Sequence, residues 1–339
     1  MTQLTTEWPG DHVTLQGGPQ PDHGAQPESL VVQMDTGERI HFLDWGGPVS
    51  APGAGDLPPL VLIHELSQTA WSWAPIARRM RGLVRTIAVD LRGHGLSEAP
   101  RTGYELESLG TDLLTVMTAC GWGEAVDGPA AVIAGHGALG AAVAATAAAL
   151  EPDSVAGLAF VDGGWEELGE ATGMSAAEYV AAIAEPPELL ASMEVFLKDR
   201  RNFDPETWDA DQERAARAQV DQKPAGHVAF VARAMVVKMV ADAVFSFRPR
   251  DVVPRLDVPL LVAVAASGSA DDETVRERRL ALDDLARARA AAAVGGNPTR
   301  IATFTGSGHN LMRYRPDELS AELAALLRVA APLQVAAER

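Results

Sequence analysis

The chain has 339 residues, and 47% of them are hydrophobic, which is ample for a core and too many for a disordered protein. A formal net charge of −18 leaves no basic patch to neutralise phosphates and so excludes nucleic acid as a partner. A single cysteine, Cys120, excludes an internal disulfide and a cysteine-rich metal site.

Residues 1–27 are polar, rich in Gly, Pro, Asp and His, with no apolar signal segment; they read as a mobile leader on a cytoplasmic protein. Apolar alternation predicts strands at 30–34 and 40–45 around a turn at Asp35, Thr36 and Gly37. After a Gly/Pro-rich loop at 46–59, the continuous apolar run 60–63 suits a strand buried on both faces. It ends at His64, Glu65 and Leu66, and 71–81 then read as an amphipathic helix. Another buried strand at 84–89 leads into the segment 90–97, DLRGHGLS. A helix over 104–120 places Leu106, Leu109, Leu113, Val116, Met117 and Cys120 on one face, making Cys120 a small core residue rather than a reactive thiol.

In residues 130–142, AAVIAGHGALGAA, a β-like run stops at Gly135 and an Ala-rich helical run starts within three residues. Nothing between them is long enough for an ordinary loop, so the backbone must turn sharply and lift position 137 above a sheet. Residues 128–150 carry no charged side chain, yet glycines at 135, 137 and 140 and the weak hydrophobicity of alanine favour a buried strand–turn–helix over a membrane span. Residues 155–161 form a further strand. From 165 to 250 the alternation stops: helical segments broken by Pro186, Pro187, Pro205 and Pro224, with no convincing strand, read as a helical cap. It resumes with a strand at 259–265, a charged helix at 272–292 whose Arg276, Arg278 and Arg279 look like a solvated face, and a strand at 300–305. Gly308 and His309 sit in the next loop, and 316–329 form a closing helix with Pro at its start and acids in its first turn, followed by a tail at 331–339. The alternation predicts an α/β fold with right-handed βαβ units, a mostly parallel sheet of about eight strands and helices on both faces. The core then comprises 28–164 and 251–330, interrupted by the cap.

These motifs, in this order, make the chain resemble the α/β-hydrolase superfamily over roughly residues 28–330. Residues 60–64 resemble the strand before the oxyanion loop, 90–97 the D-x-R-G-x-G-x-S loop, Gly135 and His136 the opening of the nucleophile elbow, and Gly308 and His309 the loop with the catalytic histidine. The resemblance implies an α/β-hydrolase fold, His309 as base, and backbone N–H groups of Leu66 and Ala138 as the oxyanion hole. It implies an acid from Asp271 or Asp272 after the strand at 259–265, or alternatively Asp162 after the preceding strand. The pair at 271 and 272 equally suits the N-terminal turn of a helix.

The elbow departs from G-x-S-x-G: Gly137 stands where the family carries serine, and a glycine cannot attack anything. Glycine adopts the strained elbow conformation freely. Leu139 replaces the last glycine of the motif, and Glu65 follows the oxyanion-loop histidine where glycine is usual. A carboxylate beside an oxyanion hole would repel the charge such a hole stabilises, so acyl-serine chemistry is not expected. Glu65 reads either as a solvated loop residue or as a pocket carboxylate facing His309 in an acid–base pair, with Ser67 offering a hydrogen bond. His64, Trp71 and His136 are candidate pocket residues; Trp71 and Trp73 suit core or pocket wall, and His94 and His136 a structural role. The eight histidines show no metal-ligand spacing, and no metal or other cofactor is expected.

Three readings follow. The first is an enzyme acting on a small, fairly apolar organic molecule through His309, an Asp and Glu65, by acid–base or activated-water chemistry. The second is a ligand-binding or regulatory pseudo-hydrolase, favoured by a Glu65 turned to solvent. The third takes a nucleophile from the cap, Ser175 or Ser192. None involves a membrane, and the sequence specifies no oligomeric state.

Overall fold

A computed structural model describes residues 19–48, 57–266, 273–292 and 296–337. The first strands are β1 (Glu28–Gln33), β2 (Arg39–Asp44) and β3 (Leu60–Ile63), followed by a 3-10 turn at Ala70–Trp73 and α1 (Ala74–Met80). Next come β4 (Thr86–Val89), α2 (Leu106–Ala119), β5 (Ala131–His136), α3 (Gly137–Leu150) and β6 (Val155–Val161). The inserted segment carries α4 (Leu168–Thr172), α5 (Ala176–Ala182), α6 (Met193–Phe203), α7 (Ala210–Ala218), β7 (Val220–Gln222), β8 (Val228–Phe230), α8 (Ala234–Ser246) and α9 (Pro249–Val252). The chain closes with β9 (Leu260–Ala266), α10 (Glu273–Ala292), β10 (Thr299–Thr305), α11 (Leu311–Tyr314) and α12 (Pro316–Ala337).

The main sheet has eight strands in the order β1-β2-β4-β3-β5-β6-β9-β10. Pairings of β2 with β1 and β4 are antiparallel and all others are parallel. This is the expected α/β-hydrolase fold. The chain steps from β3 to β4 on one side and then crosses to β5 on the other, so the strand order reverses between β3 and β5. At such a switch point the carboxyl ends of neighbouring strands open a crevice.

β3, β4, β5 and β6 have every residue buried, which is why they read as predominantly apolar runs without alternation. One face is covered by α2, α3 and α10 through Leu113, Val143 and Leu285, the other by α1 and α12 through Ile76, Leu319 and Leu323. α3 is buried almost all round because its alanines let it approach closely. The motif glycine lost at Leu139 is supplied one residue later. A Cβ on Gly140 would meet the Ile63 carbonyl at 2.8 Å, while Leu139 fills the core.

The inserted segment differs from expectation in holding a two-stranded antiparallel sheet, β7 with β8, beside its helices. These strands are three residues each, too short for a periodic signal. The segment has its own small core of Phe196, Leu197, Ala216, Val220 and Val228, while α8 joins the main core through Val236, Val240 and Val244. The closing helix runs on to Ala337, through the stretch expected as a tail. Ala25, in the expected leader, is buried, and Arg78 donates to the carbonyls of His23 and Ala25. No helix among the described residues is long and apolar enough to cross a membrane.

Candidate active site

β3 ends at His64, whose buried ring fixes the loop that follows. Its Nε2 accepts from Leu91 N–H at 3.0 Å, so the proton sits on Nδ1, which donates to the Glu65 carbonyl at 2.8 Å. Desolvation holds this imidazole below its ordinary pKa, consistent with the neutral tautomer. Ser67, at a left-handed φ of 63°, completes a turn in which Gln68 N–H donates to the same Glu65 carbonyl at 3.0 Å.

The Glu65 side chain folds back over the mouth of the sheet. Its Oε1 accepts from Leu66 N–H at 2.7 Å and Leu139 N–H at 3.4 Å, and the Ala138 N–H also favours its ionised form. The amides expected to stabilise a substrate oxyanion therefore face a carboxylate of the protein itself. Burial dominates and pushes the Glu65 carboxyl above its usual range, against the opposing pull of His309 and these N–H groups.

Gly137 begins α3 at φ 65°, where a side chain is strained. A Cβ built on it would overlap Glu65 Oε2, so that carboxylate oxygen occupies the volume an elbow side chain would use. Burial pushes the neighbouring His136 down to about 3, helped by the proximity of His309. Its ring nitrogens lie 3.2 Å from Gln68 Oε1 and from the His309 carbonyl, and its ring centroid is 4.6 Å from that of His309. A neutral ring carries one proton and donates to only one of those oxygens at a time. His136 thus props the loop bearing His309.

The His309 ring is more than half exposed, and its Nδ1 lies 2.7 Å from Asp162 Oδ2. Asp162, just past β6, has a left-handed φ of 54° and a buried side chain. Its other oxygen accepts from Ala265 N–H at 2.9 Å and Arg278 Nη2 at 2.9 Å. Desolvation raises the Asp162 pKa, but His309, Arg278 and Ala265 outweigh it and hold the carboxyl below its usual range. For His309, desolvation lowers the pKa, and the hydrogen bond and charge of Asp162 with the charge of Glu65 reverse it, leaving the imidazole above its ordinary value.

The strand ends therefore bring Asp162 to His309, whereas Asp271 and Asp272 lie outside the described residues. Glu65, Ala138, Asp162 and His309 line one cavity of about 320 Å³, together with Tyr179 from α5 and Leu168 and Ala171 from α4. None of the four expected pocket residues His64, Ser67, Trp71 and His136 lines it, and the two histidines are fully buried. Trp71 faces a different groove, with the Arg214 guanidinium 4.0 Å from its ring centroid, and Trp73 is core.

Arg278 was missed. Expected on a solvated face, it turns inward, pairing with Asp162 at 2.9 Å and Glu166 at 3.3 Å over the Trp165 ring. The signal was its spacing: buried Leu282 and Leu285 follow at four and seven residues, on the same helical stripe. Among the described residues, no group of three or more His, Cys, Asp or Glu is placed to hold a metal ion.

Ser175 and Ser192, in the inserted segment, are both helix N-caps. Ser175 accepts from Glu178 N–H in a capping box, and Ser192 accepts from Val195 N–H at 3.2 Å. Ser192→Ala should cost about 1 kcal/mol of stability, read as a lower urea midpoint, with turnover unchanged. Loss of turnover at normal stability would return Ser192 to the chemistry.

Residues 51–322 match the model of the alpha/beta hydrolase family. The chain is 34% identical over 108 residues to 2-(acetamidomethylene)succinate hydrolase of Mesorhizobium japonicum, covering 32% of this chain and 36% of that one. It is 31% identical over 94 residues to human epoxide hydrolase 4, covering 27% of this chain and 24% of the relative. Each match spans well under half of the relative's length. The crystal structure of E-2-(acetamidomethylene)succinate hydrolase superposes with a TM-score of 0.68 at 20% identity, covering 89% of this chain and 100% of that one. A thioesterase domain from the curacin biosynthetic pathway gives 0.63 at 17% identity, covering 89% of this chain and 99% of that domain. With a family match over most of its length and the sheet order described above, the chain belongs to the alpha/beta hydrolase family.

Proposed function

We propose that this protein is an enzyme that adds water to a small neutral organic molecule, using Glu65 and His309 as an acid–base pair without an acyl-serine intermediate. The observation that carries this reading is the Glu65 carboxylate, pinned by Leu66 and Leu139 N–H with its Oε2 in the elbow volume of the cavity that His309 lines. Gly137 stands for the lost elbow serine, and the segment at 165–250 acts as the cap roofing that cavity.

The pKa directions assign the roles. A carboxyl raised above its usual range is a stronger general base, and an imidazole raised above its own by Asp162 keeps its proton more readily as a general acid. Glu65 takes a proton from water as its oxygen attacks the substrate, and His309 Nε2–H gives a proton to the oxygen released. The two groups then re-equilibrate through solvent. This reverses the resemblance-based role of His309 as base.

The substrate class follows from charge. Both basic groups lining the cavity among the described residues, Arg278 and His309, are already paired with carboxylates of the protein, so a substrate carboxylate would meet Glu65 and Glu166 without an unpaired cation to offset them. A neutral substrate fits better than an anion such as the succinate in one relative's name. A Glu65 turned to solvent would favour the pseudo-hydrolase reading, whereas its place in the cavity favours the enzyme.

The test is turnover of a panel of small neutral epoxides, lactones and activated esters by wild type and His309→Ala. Turnover abolished by His309→Ala is expected; no turnover by wild type, or none lost in the variant, overturns the proposal. In the active case kcat/KM should be bell-shaped in pH. Activity rises as Glu65 loses its proton, above the usual carboxylate range, and falls as His309 loses its own, above the ordinary imidazole range. A single limb would contradict the paired assignment.

A further inference from the structure

A second constellation lies at the far edge of the sheet. Ser29 on β1 and His41 on β2 are diagonal cross-strand neighbours, since Val31 is the register partner of His41. Ser29 Oγ is 2.8 Å from His41 Nε2, and His41 Nδ1 is 2.7 Å from Asp90 Oδ2. Asp90 also accepts from Ala70 N–H at 2.7 Å and Leu96 N–H at 3.0 Å.

This network dictates the tautomer. Two backbone donors and an imidazole converge on Asp90, whose carboxyl is held below its usual range despite burial, so it is an acceptor. A neutral His41 ring then carries its proton on Nδ1, and Nε2 presents its lone pair to the Ser29 hydroxyl. His41 and Asp90 are almost fully buried while Ser29 is exposed, which puts a shielded base behind an accessible hydroxyl. A nucleophile within hydrogen-bond reach of a base that a third group orients is the arrangement that activates serine.

We propose that Ser29 is an acyl-accepting serine activated by His41 and Asp90, a covalent modification site separate from the cavity at Glu65 and His309. Its donors are small molecules carrying an activated acyl or phosphonyl group. Ser29 Oγ bonds to the electrophilic carbon or phosphorus, His41 Nε2 takes the hydroxyl proton, and the leaving group departs with that proton. Ser29 sits on an exposed edge strand rather than at a strand-to-helix turn, so good leaving groups are required and the adduct persists.

The experiment treats the full chain with a fluorophosphonate probe and, separately, with p-nitrophenyl acetate, and maps adducts by peptide mass spectrometry. Exposed Ser175 and Ser246 are internal controls. Labelling at Ser29 should exceed both by at least about tenfold. It should vanish in Ser29→Ala with the melting curve unchanged, and fall to the control level in His41→Gln. If His41→Gln fails to fold, the comparison within wild type still decides. Labelling of Ser29 no higher than of Ser175 and Ser246 overturns the proposal.

Discussion

Glu65→Gln is expected to lower kcat by about 10²–10⁴-fold, the usual worth of a positioned general base. The change is nearly isosteric, and glutamine can still accept from Leu66 N–H with its amide oxygen, so the loop keeps its anchor. What disappears is the proton affinity of Oε2, the oxygen left over the cavity beside Gly137. Any residual activity should lose the acid limb of its pH profile and keep the limb belonging to His309. Far-ultraviolet circular dichroism and a urea titration would separate this from unfolding. A folded variant with kcat within threefold of wild type would remove Glu65 from the chemistry.

Gly137→Ser should by itself destabilise the protein and create no esterase. A Cβ at φ 65° costs about 1–3 kcal/mol, and it would also expel the Glu65 carboxylate from its N–H partners. The two positions are therefore coupled, and the serine needs the space and the amides that Glu65 holds. Gly137→Ser with Glu65→Gly vacates both. Hydrolysis of p-nitrophenyl acetate by the double variant should exceed that of the single variant by about 10²–10³-fold, the range that oxyanion-hole donors contribute. A double-mutant cycle in urea should show a non-additive recovery of stability as well. Equal esterase activity in the single and double variants would mean that Glu65 does not block the hole.

The sheet and its order of elements were legible because they are written locally. Predominantly apolar runs without alternation at β3, β4, β5 and β6 predict strands buried on both faces, and Gly135, Gly137 and Gly140 predict a sharp turn into a tightly packed helix. The resemblance of these motifs to the α/β-hydrolase superfamily singled out His309, Gly137 and Glu65. The local pattern missed β7 and β8, which are too short for periodicity, and it gave Arg278 to solvent although Leu282 and Leu285 share its stripe.

By itself, then, the sequence determined the alternation that builds the parallel sheet and the glycines that permit the sharp turn from β5 into α3. Tertiary structure alone decided which aspartate meets His309, because a 2.7 Å contact between residues 147 apart depends on where two strand ends fall in one sheet. It also decided that Glu65 turns inward onto the amides of Leu66 and Leu139. A side chain's direction at a strand end is set by the N–H donors that packing places around it, and those come from β3 and α3 together.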